Sequence, residues 1–173
     1  TLCTSANAVK VVNSLESDKI LFGPDKNLAN HIAEKLDKEI IPVPEKGHCY
    51  VHDNITVEDI ENKRKEYPNA EIICHPECKI EVQHACDEVL STGGMLRHIA
   101  ESDKDEFVLG TEVDMITRLN REVPDKKVYP LLEDAICETM KLHSLEKVKK
   151  ALEEEKPEIT LPKEVCEKSL KAV

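Results

Sequence analysis

Cys49 and Cys137 each close a copy of the same pattern: a Ser or Thr pair, then an apolar run ending in glycine, then a cysteine. Gly23 precedes Cys49 by 26 positions and Gly110 precedes Cys137 by 27, while Ser5 and Ser91 stand 18 and 19 positions before those glycines. A thiolate at the same place in two repeated units suggests duplicated supersecondary units related by pseudo-rotation, which bring equivalent ends toward one centre. Soft thiolates gathered there would be metal ligands.

A second cluster is His75-Pro76-Glu77-Cys78, at the end of an apolar run Ala70 to Cys74. One reading makes His75 and Cys78 zinc ligands, but no second Cys-x2-Cys or His-x3-His pair completes a structural zinc site. The other reading has His75 donating to a substrate carboxylate and Glu77 acting as acid or base. The plain alternative is a solvated turn with His75 as a cap. Ser5 and Ser91-Thr92-Gly93-Gly94 precede expected helices, so their hydroxyls and nearby N-H groups form either an anion cradle or ordinary N-caps. His48 and His52 flank Cys49 and read as solvated loop residues, and His31, His84, His98 and His143 fall on polar helix faces. Cys86 reads as packing on one apolar helix face with Val82, Ala85 and Val89, and Cys166 as packing on a terminal helix.

Positioning these groups requires alternating strands and helices. Ile20-Leu21-Phe22 is strand-like, Gly23-Pro24-Asp25 turns it, and Leu28, Ala29, Ile32, Ala33 and Leu36 recur at helical spacing. Ile40 to Val43 reads as the next strand, and Thr56-Val57-Glu58-Asp59 has the spacing of a capping box before a charged helix that Pro68 stops. Phe107 to Gly110, the segment with Met115, Ile116 and Leu119, and Lys127 to Pro130 echo the first strand, helix and strand. Helices are expected over Leu145 to Glu155 and Pro162 to Val173. The pattern predicts an α/β fold of repeated parallel-sheet sandwich units around a central site. The expected division is residues 1–48 as part of one unit, 49–136 as a second, and 137–173 as a C-terminal helical segment.

The bulk properties narrow the functional classes. A chain of 173 residues with 40% hydrophobic and 34% charged residues fits a globular protein, and a net charge of -11 argues against nucleic-acid or membrane binding by bulk charge. Aromatic residues make up 3%, so base-stacking platforms are missing. Seven cysteines, without the density of a disulfide scaffold and with no signal peptide, favour a reducing cytoplasm.

At Thr4-Ser5-Ala6-Asn7-Ala8, Gly23-Pro24-Asp25-Lys26-Asn27-Leu28, Gly47-His48-Cys49-Tyr50-Val51-His52, His75-Pro76-Glu77-Cys78, Ser91-Thr92-Gly93-Gly94-Met95, Gly110-Thr111-Glu112 and Cys137-Glu138-Thr139-Met140-Lys141, the chain resembles the quinolinate synthase family, particularly its archaeal members. The resemblance spans nearly the whole chain. It implies three pseudo-symmetric α/β domains around one 4Fe-4S cluster held by three cysteines, with one iron open to substrate. Cys49 and Cys137 match two of those cysteines, Ser5 a substrate-binding serine, His75, Glu77 and Thr92 substrate-binding and catalytic positions, and Met140 a residue lining the cavity. The implied reaction condenses iminoaspartate with dihydroxyacetone phosphate to quinolinate for NAD biosynthesis, the cluster serving as Lewis acid. Counting one period of 88 positions back from Cys49 falls before Thr1. The third cysteine is therefore expected in an N-terminal domain outside this chain, and these residues alone are expected to be inactive. The rival classes are a non-catalytic α/β metal- or phosphate-binding module and an iron-sulfur electron carrier.

Overall fold

The computed structural model describes residues 1–172, and the last residue of the helix expected over Pro162 to Val173 lies outside them. The chain divides into two compact units, Thr4–Ile136 and a smaller one of Thr1–Cys3 with Cys137–Val173.

The larger unit runs α1 (Ala8–Asn13), β1 (Lys19–Phe22), α2 (Lys26–Lys35), β2 (Glu39–Pro42), α3 (Tyr50–Asp53), α4 (Val57–Glu66), β3 (Glu71–Cys74), α5 (Ile80–Ala85), β4 (Glu88–Val89), α6 (Thr92–Glu101), β5 (Glu106–Gly110), α7 (Asp114–Glu122) and β6 (Lys127–Pro130). β1 and β2 form a two-stranded sheet and the others a four-stranded sheet in the order β4-β3-β5-β6. Every pairing is parallel, as the alternation of strands and helices predicts.

Both faces of the larger sheet are covered, so its central strands read as unbroken apolar runs. Successive side chains along a strand point to opposite faces. Ile72, Cys74 and Val108 therefore pack with Ile55, Ile60 and Val82 of the α4 and α5 side. Ile73, Phe107 and Leu109 pack with Met95, Ile99, Met115 and Leu119 of α6 and α7. Burying side chains of this size contributes roughly 1.5–3 kcal/mol each before the entropy of ordering is counted.

Local chemistry sets the boundaries. Thr56 and Asp59 form the reciprocal capping box at the start of α4, which ends at Glu66 just ahead of Pro68. Asp25 caps α2 by accepting from the Leu28 N-H. One expectation fails: Val89 is not on a helix with Val82 but in β4. Asp87 explains why. Its N-H donates to the Ile72 carbonyl, its carboxylate accepts from the Ile72 N-H, and Arg64 holds it from α4. That pairing to the edge of β3 overrides the helical spacing of Val82, Ala85, Cys86 and Val89. Cys86 itself packs half-buried against the apolar cluster, as expected.

The smaller unit has a short 3-10 turn (Met140–Leu142), α8 (Leu145–Glu154), capped by the Ser144 hydroxyl, and α9 (Lys163–Ser169). Among the described residues, no helix is long and apolar enough to cross a membrane.

Gly23 and Gly47 let the loop carrying Cys49 close against the turn after β1. A Cβ at Gly23 would overlap the Val43 carbonyl oxygen, and one at Gly47 the Pro24 carbonyl oxygen. A Cβ at Gly93 would meet only the tip of the Arg97 side chain, at 3.6 Å. Gly23→Ala is expected to lower the unfolding free energy by about 3 kcal/mol, because backbone rather than a flexible side chain must yield. Gly93→Ala should be neutral or raise it by about 0.5 kcal/mol, because alanine favours the helix. Urea denaturation of the two variants distinguishes these outcomes.

Candidate functional site

Parallel strands in register deliver their carboxyl ends to one edge, where the connecting loops meet. Cys74 lies opposite Gly110 in the β3–β5 ladder, and the His75 N-H continues it by donating to the Gly110 carbonyl at 3.0 Å. The next residues on both strands, His75 and Thr111, are thus neighbours by register. From the smaller sheet, the loop after β2 brings in Cys49, whose N-H donates at 2.8 Å to the second carboxylate oxygen of Asp25. Asp25 consequently caps α2 with one oxygen and fixes the Cys49 backbone with the other. Cys49 then starts α3, and one turn later His52 points the same way.

The result is a compact cluster. Cys49, His52 and Glu77 each offer one ligand atom, all within 4.8 Å of one another. The rings of His52 and His75 stack at 4.4 Å with 16° between planes. His52 Nε2 lies 3.0 Å from the Thr111 hydroxyl, and His75 Nε2 lies 3.2 Å from Ser5 Oγ. The Glu77 N-H donates to His75 Nδ1 at 3.3 Å. That contact makes Nδ1 an acceptor, so the neutral ring carries its proton on Nε2 and donates to Ser5, leaving the serine O-H able to donate elsewhere. A cleft of about 330 Å³, lined by Pro24, Asp25, Pro44, Gly47, His48, Cys49 and Glu77, opens beside the cluster.

Electrostatics divide the labour of the two histidines. Burial works against charge on His52, yet Cys49 and Glu77 outweigh it and push its pKa up to about 10. His52 Nδ1 is 3.2 Å from a Glu77 carboxylate oxygen, but the contact is an ion pair rather than an aligned hydrogen bond, and Nδ1 is buried without a hydrogen-bond partner. Burial and the neighbouring His52 charge push His75 down to about 4, keeping it neutral. Glu77 is held below the usual carboxylate range by His52, against a burial effect of opposite sign. At Cys49 burial raises the thiol pKa, but the side chain, amide and charge of His52 together bring it below the ordinary value.

Of the residues singled out in the sequence, Ser5, Cys49, His75 and Glu77 come together here. Ser91 caps α6 by accepting from the Gly94 N-H, and Thr92 is exposed on the first turn of that helix, at the end of β4. Cys137 is half-buried in the smaller unit, where Met140 is 57% exposed in the 3-10 turn. The zinc pairing of His75 with Cys78 fails, because Cys78 points into the apolar core and donates to the Gly110 carbonyl at 3.6 Å. Cys74 is also buried there, and contact with Cys78 and Cys86 together with burial keeps its thiol protonated. His52 is 8% exposed and not a solvated loop residue, and His31 is buried against Gln83 rather than on a polar face. The position of His52 three residues after Cys49, with Thr56 marking where the next helix begins, was the signal available for a single turn carrying both. Asp25 and Thr111 are further site residues that spacing alone does not single out.

The profile of the quinolinate synthetase A protein family matches residues 1–173. The chain is 56% identical over 172 residues to the quinolinate synthase of Methanothermobacter thermautotrophicus, covering 99% of this chain and 56% of that protein. It is 50% identical over 175 residues to that of Methanocaldococcus jannaschii, covering 99% and 57%. It is 47% identical over 173 residues to that of Thermotoga maritima, again covering 99% and 57%. The chain thus spans a little over half the length of these relatives.

A thiolate stabilised by a neighbouring imidazolium is reactive well below the pH at which a free thiol ionises. In metal-free protein at pH 7, Cys49 should be alkylated by iodoacetamide about tenfold more slowly in His52→Gln than in the parent, while Cys166 is unchanged. Equal Cys49 rates, measured by peptide mass spectrometry, would contradict the pairing.

Proposed function

The chain belongs to the quinolinate synthetase A family, and from that premise we propose that it forms part of a quinolinate synthase acting in NAD biosynthesis. The reaction is the condensation of iminoaspartate with dihydroxyacetone phosphate, and the setting is the cytoplasm. The observation that carries this reading is the convergence of Cys49, His52, Glu77, His75 and Ser5 at the carboxyl edge of the sheets. A lone electron carrier needs the thiolate but has no use for an ionised carboxylate and a serine donor beside it.

The residues suit a 4Fe-4S cluster. Cys49 is half-buried, its thiolate is favoured by His52, and it borders an open cleft. Cys74 and Cys78 are committed to the apolar core and are unsuited to the task. Cys49 and Cys137 would be two ligands, with the third from a part of the enzyme outside these 173 residues. In this proposal the repeated units are related by pseudo-rotation, with boundaries at residues 48/49 and 136/137. Bound there, a cluster with one iron free of protein ligands would supply Lewis acidity toward a substrate oxygen.

The side chains supply the remaining chemistry. The Ser5 hydroxyl, with its oxygen already accepting from His75, donates to a substrate carboxylate. Neutral His75 stays in one tautomer because the Glu77 N-H occupies Nδ1. Ionised Glu77 takes a proton from substrate during tautomerisation or dehydration and returns it, and the His52 cation offsets negative charge that develops beside it. Ser91 and Thr92 at the start of α6 would bind the phosphate-bearing substrate with their hydroxyl and N-H groups, and Met140 would line the cavity.

Full-length enzyme reconstituted with iron and sulfide without oxygen should be brown and form quinolinate from the two substrates. A cluster without product would leave only the carrier reading. A colourless protein would leave the non-catalytic module.

Two substitutions separate ligand from proton carrier. Cys49→Ser should abolish cluster absorbance, whereas Cys86→Ser keeps it and costs about 1 kcal/mol of packing. Glu77→Gln should keep the cluster and reduce kcat by about 100-fold or more, the usual scale for losing a general base. An undiminished rate removes Glu77 from that role.

A further inference from the structure

Three consecutive backbone carbonyls of the loop carrying the reactive side chains are each taken by a buried side-chain amide. Gln83, on α5, donates from Nε2 to the Pro76 carbonyl at 2.9 Å and the Cys78 carbonyl at 2.7 Å. Asn27, on α2, donates from Nδ2 to the carbonyl between them, that of Glu77, at 3.0 Å, and to Asp53 Oδ1 at 2.9 Å. Gln83 is 5% and Asn27 3% exposed.

The orientation of the Gln83 amide follows from its neighbours. Two carbonyl oxygens can be satisfied only by the NH2 end, so the amide oxygen faces away from the loop, toward His31 Nδ1 at 2.6 Å. An amide oxygen is only an acceptor, so His31 must donate from Nδ1. His31 and Asn27 are four residues apart and share one face of α2. One helix of the smaller sheet thus grips the loop directly through Asn27 and indirectly through His31 and Gln83.

We infer that Gln83, oriented by His31 and assisted by Asn27, is a positioning clamp that holds the Pro76-Glu77-Cys78 backbone so that the Glu77 carboxylate and the Ser5 hydroxyl that His75 orients meet substrate in register. The inference rests on the reading that Glu77 moves protons in quinolinate formation. None of the three touches the reacting atoms. They act through the loop, whose own turn is closed by the Cys78 N-H donating to the His75 carbonyl at 2.9 Å and by the longer Glu77 N-H contact to His75 Nδ1 at 3.3 Å. Misplacing a reacting group by about 1 Å can cost about 100-fold in rate, so a loosened loop is read in turnover before it is read in binding.

The test uses full-length, cluster-loaded enzyme carrying Gln83→Leu, His31→Leu or His31→Asn. Gln83→Leu should lower kcat about 30-fold while KM moves less than about threefold, with cluster absorbance and a cooperative melt retained. A kcat within about twofold of the parent overturns the clamp. If Gln83→Leu does not fold, the His31 pair decides. Asparagine places an N-H where Nδ1 stood and should keep kcat near the parent, whereas leucine lowers it about fivefold. Equal kcat in the two variants overturns the clamp. Should the parent enzyme make no quinolinate, the functional reading fails separately, and hydrogen exchange decides the clamp. Exchange at the Glu77 and Cys78 amides about tenfold faster in Gln83→Leu sustains it, and unchanged exchange overturns it.

Discussion

One buried positive charge, on the His52 imidazole, organises the candidate site. Removing an ion from water costs several kcal/mol unless partners replace the lost solvation, and here burial opposes the charge more than any single contact favours it. The Cys49 sulfur and the Glu77 carboxylate together reverse that balance. Each gains in turn, because the cation that they stabilise lowers the proton affinity of both. Burial, reinforced by the same charge, keeps the stacked His75 ring neutral. Two imidazoles 4.4 Å apart therefore hold opposite protonation states, one fit to pair with anions and the other to donate a single directed hydrogen bond.

Such an arrangement works only if its members cannot drift, and the fold supplies that constraint from two sheets. Asp25 binds the Cys49 amide while capping α2, so the helix that carries Asn27 and His31 is tied to the loop that carries the thiol. Gly23 and Gly47 permit the close passage of backbone that this requires. From the larger sheet, the register of β3 with β5 fixes His75 beside Thr111, and Thr111 holds the far nitrogen of His52. The β1–β2 sheet is only two strands wide, an unit that is marginal in isolation. Its helix α2 gains support from Asn27 on the Glu77 carbonyl and His31 on Gln83, both beside the four-stranded sheet.

What could be read from the sequence follows from the range of the interactions. The α/β alternation, the Thr56 capping box and the boundaries of β1, β3 and β5 are encoded within a few residues, and periodicity and cap chemistry reveal them. Ser5, Cys49, His75 and Glu77 were legible because residue type and spacing mark them. His52 was not, because its burial depends on Thr111, 59 residues away, and on Glu77. His31 likewise lies on what reads as a polar helix face until Gln83, 52 positions on, covers it. Val89 misled through a helical spacing that Asp87 and Arg64 override by a contact between elements. The failures share one cause: each turns on a polar side chain whose partner is distant in sequence, and periodicity does not register such a contact.

The choice of amides rather than ions to secure the Glu77 loop has a physical logic. A lysine or arginine in place of Gln83 would also hydrogen-bond the Pro76 and Cys78 carbonyls, but its full charge, buried near Glu77, would compete with His52 for that carboxylate. Neutral amides satisfy three carbonyls at 2.7–3.0 Å while adding no net charge to the cluster. Position and electrostatics are thereby set by different residues. Asn27 and Gln83 decide where Glu77 stands, and His52 decides its protonation. Asp53 completes the separation: its carboxylate accepts from Asn27 and lies 3.5 Å from Lys26 and 3.9 Å from Lys79, so its charge is balanced by those cations and not by His52. With the neighbouring charges paired among themselves, the imidazolium remains the cation that faces the thiolate and the carboxylate.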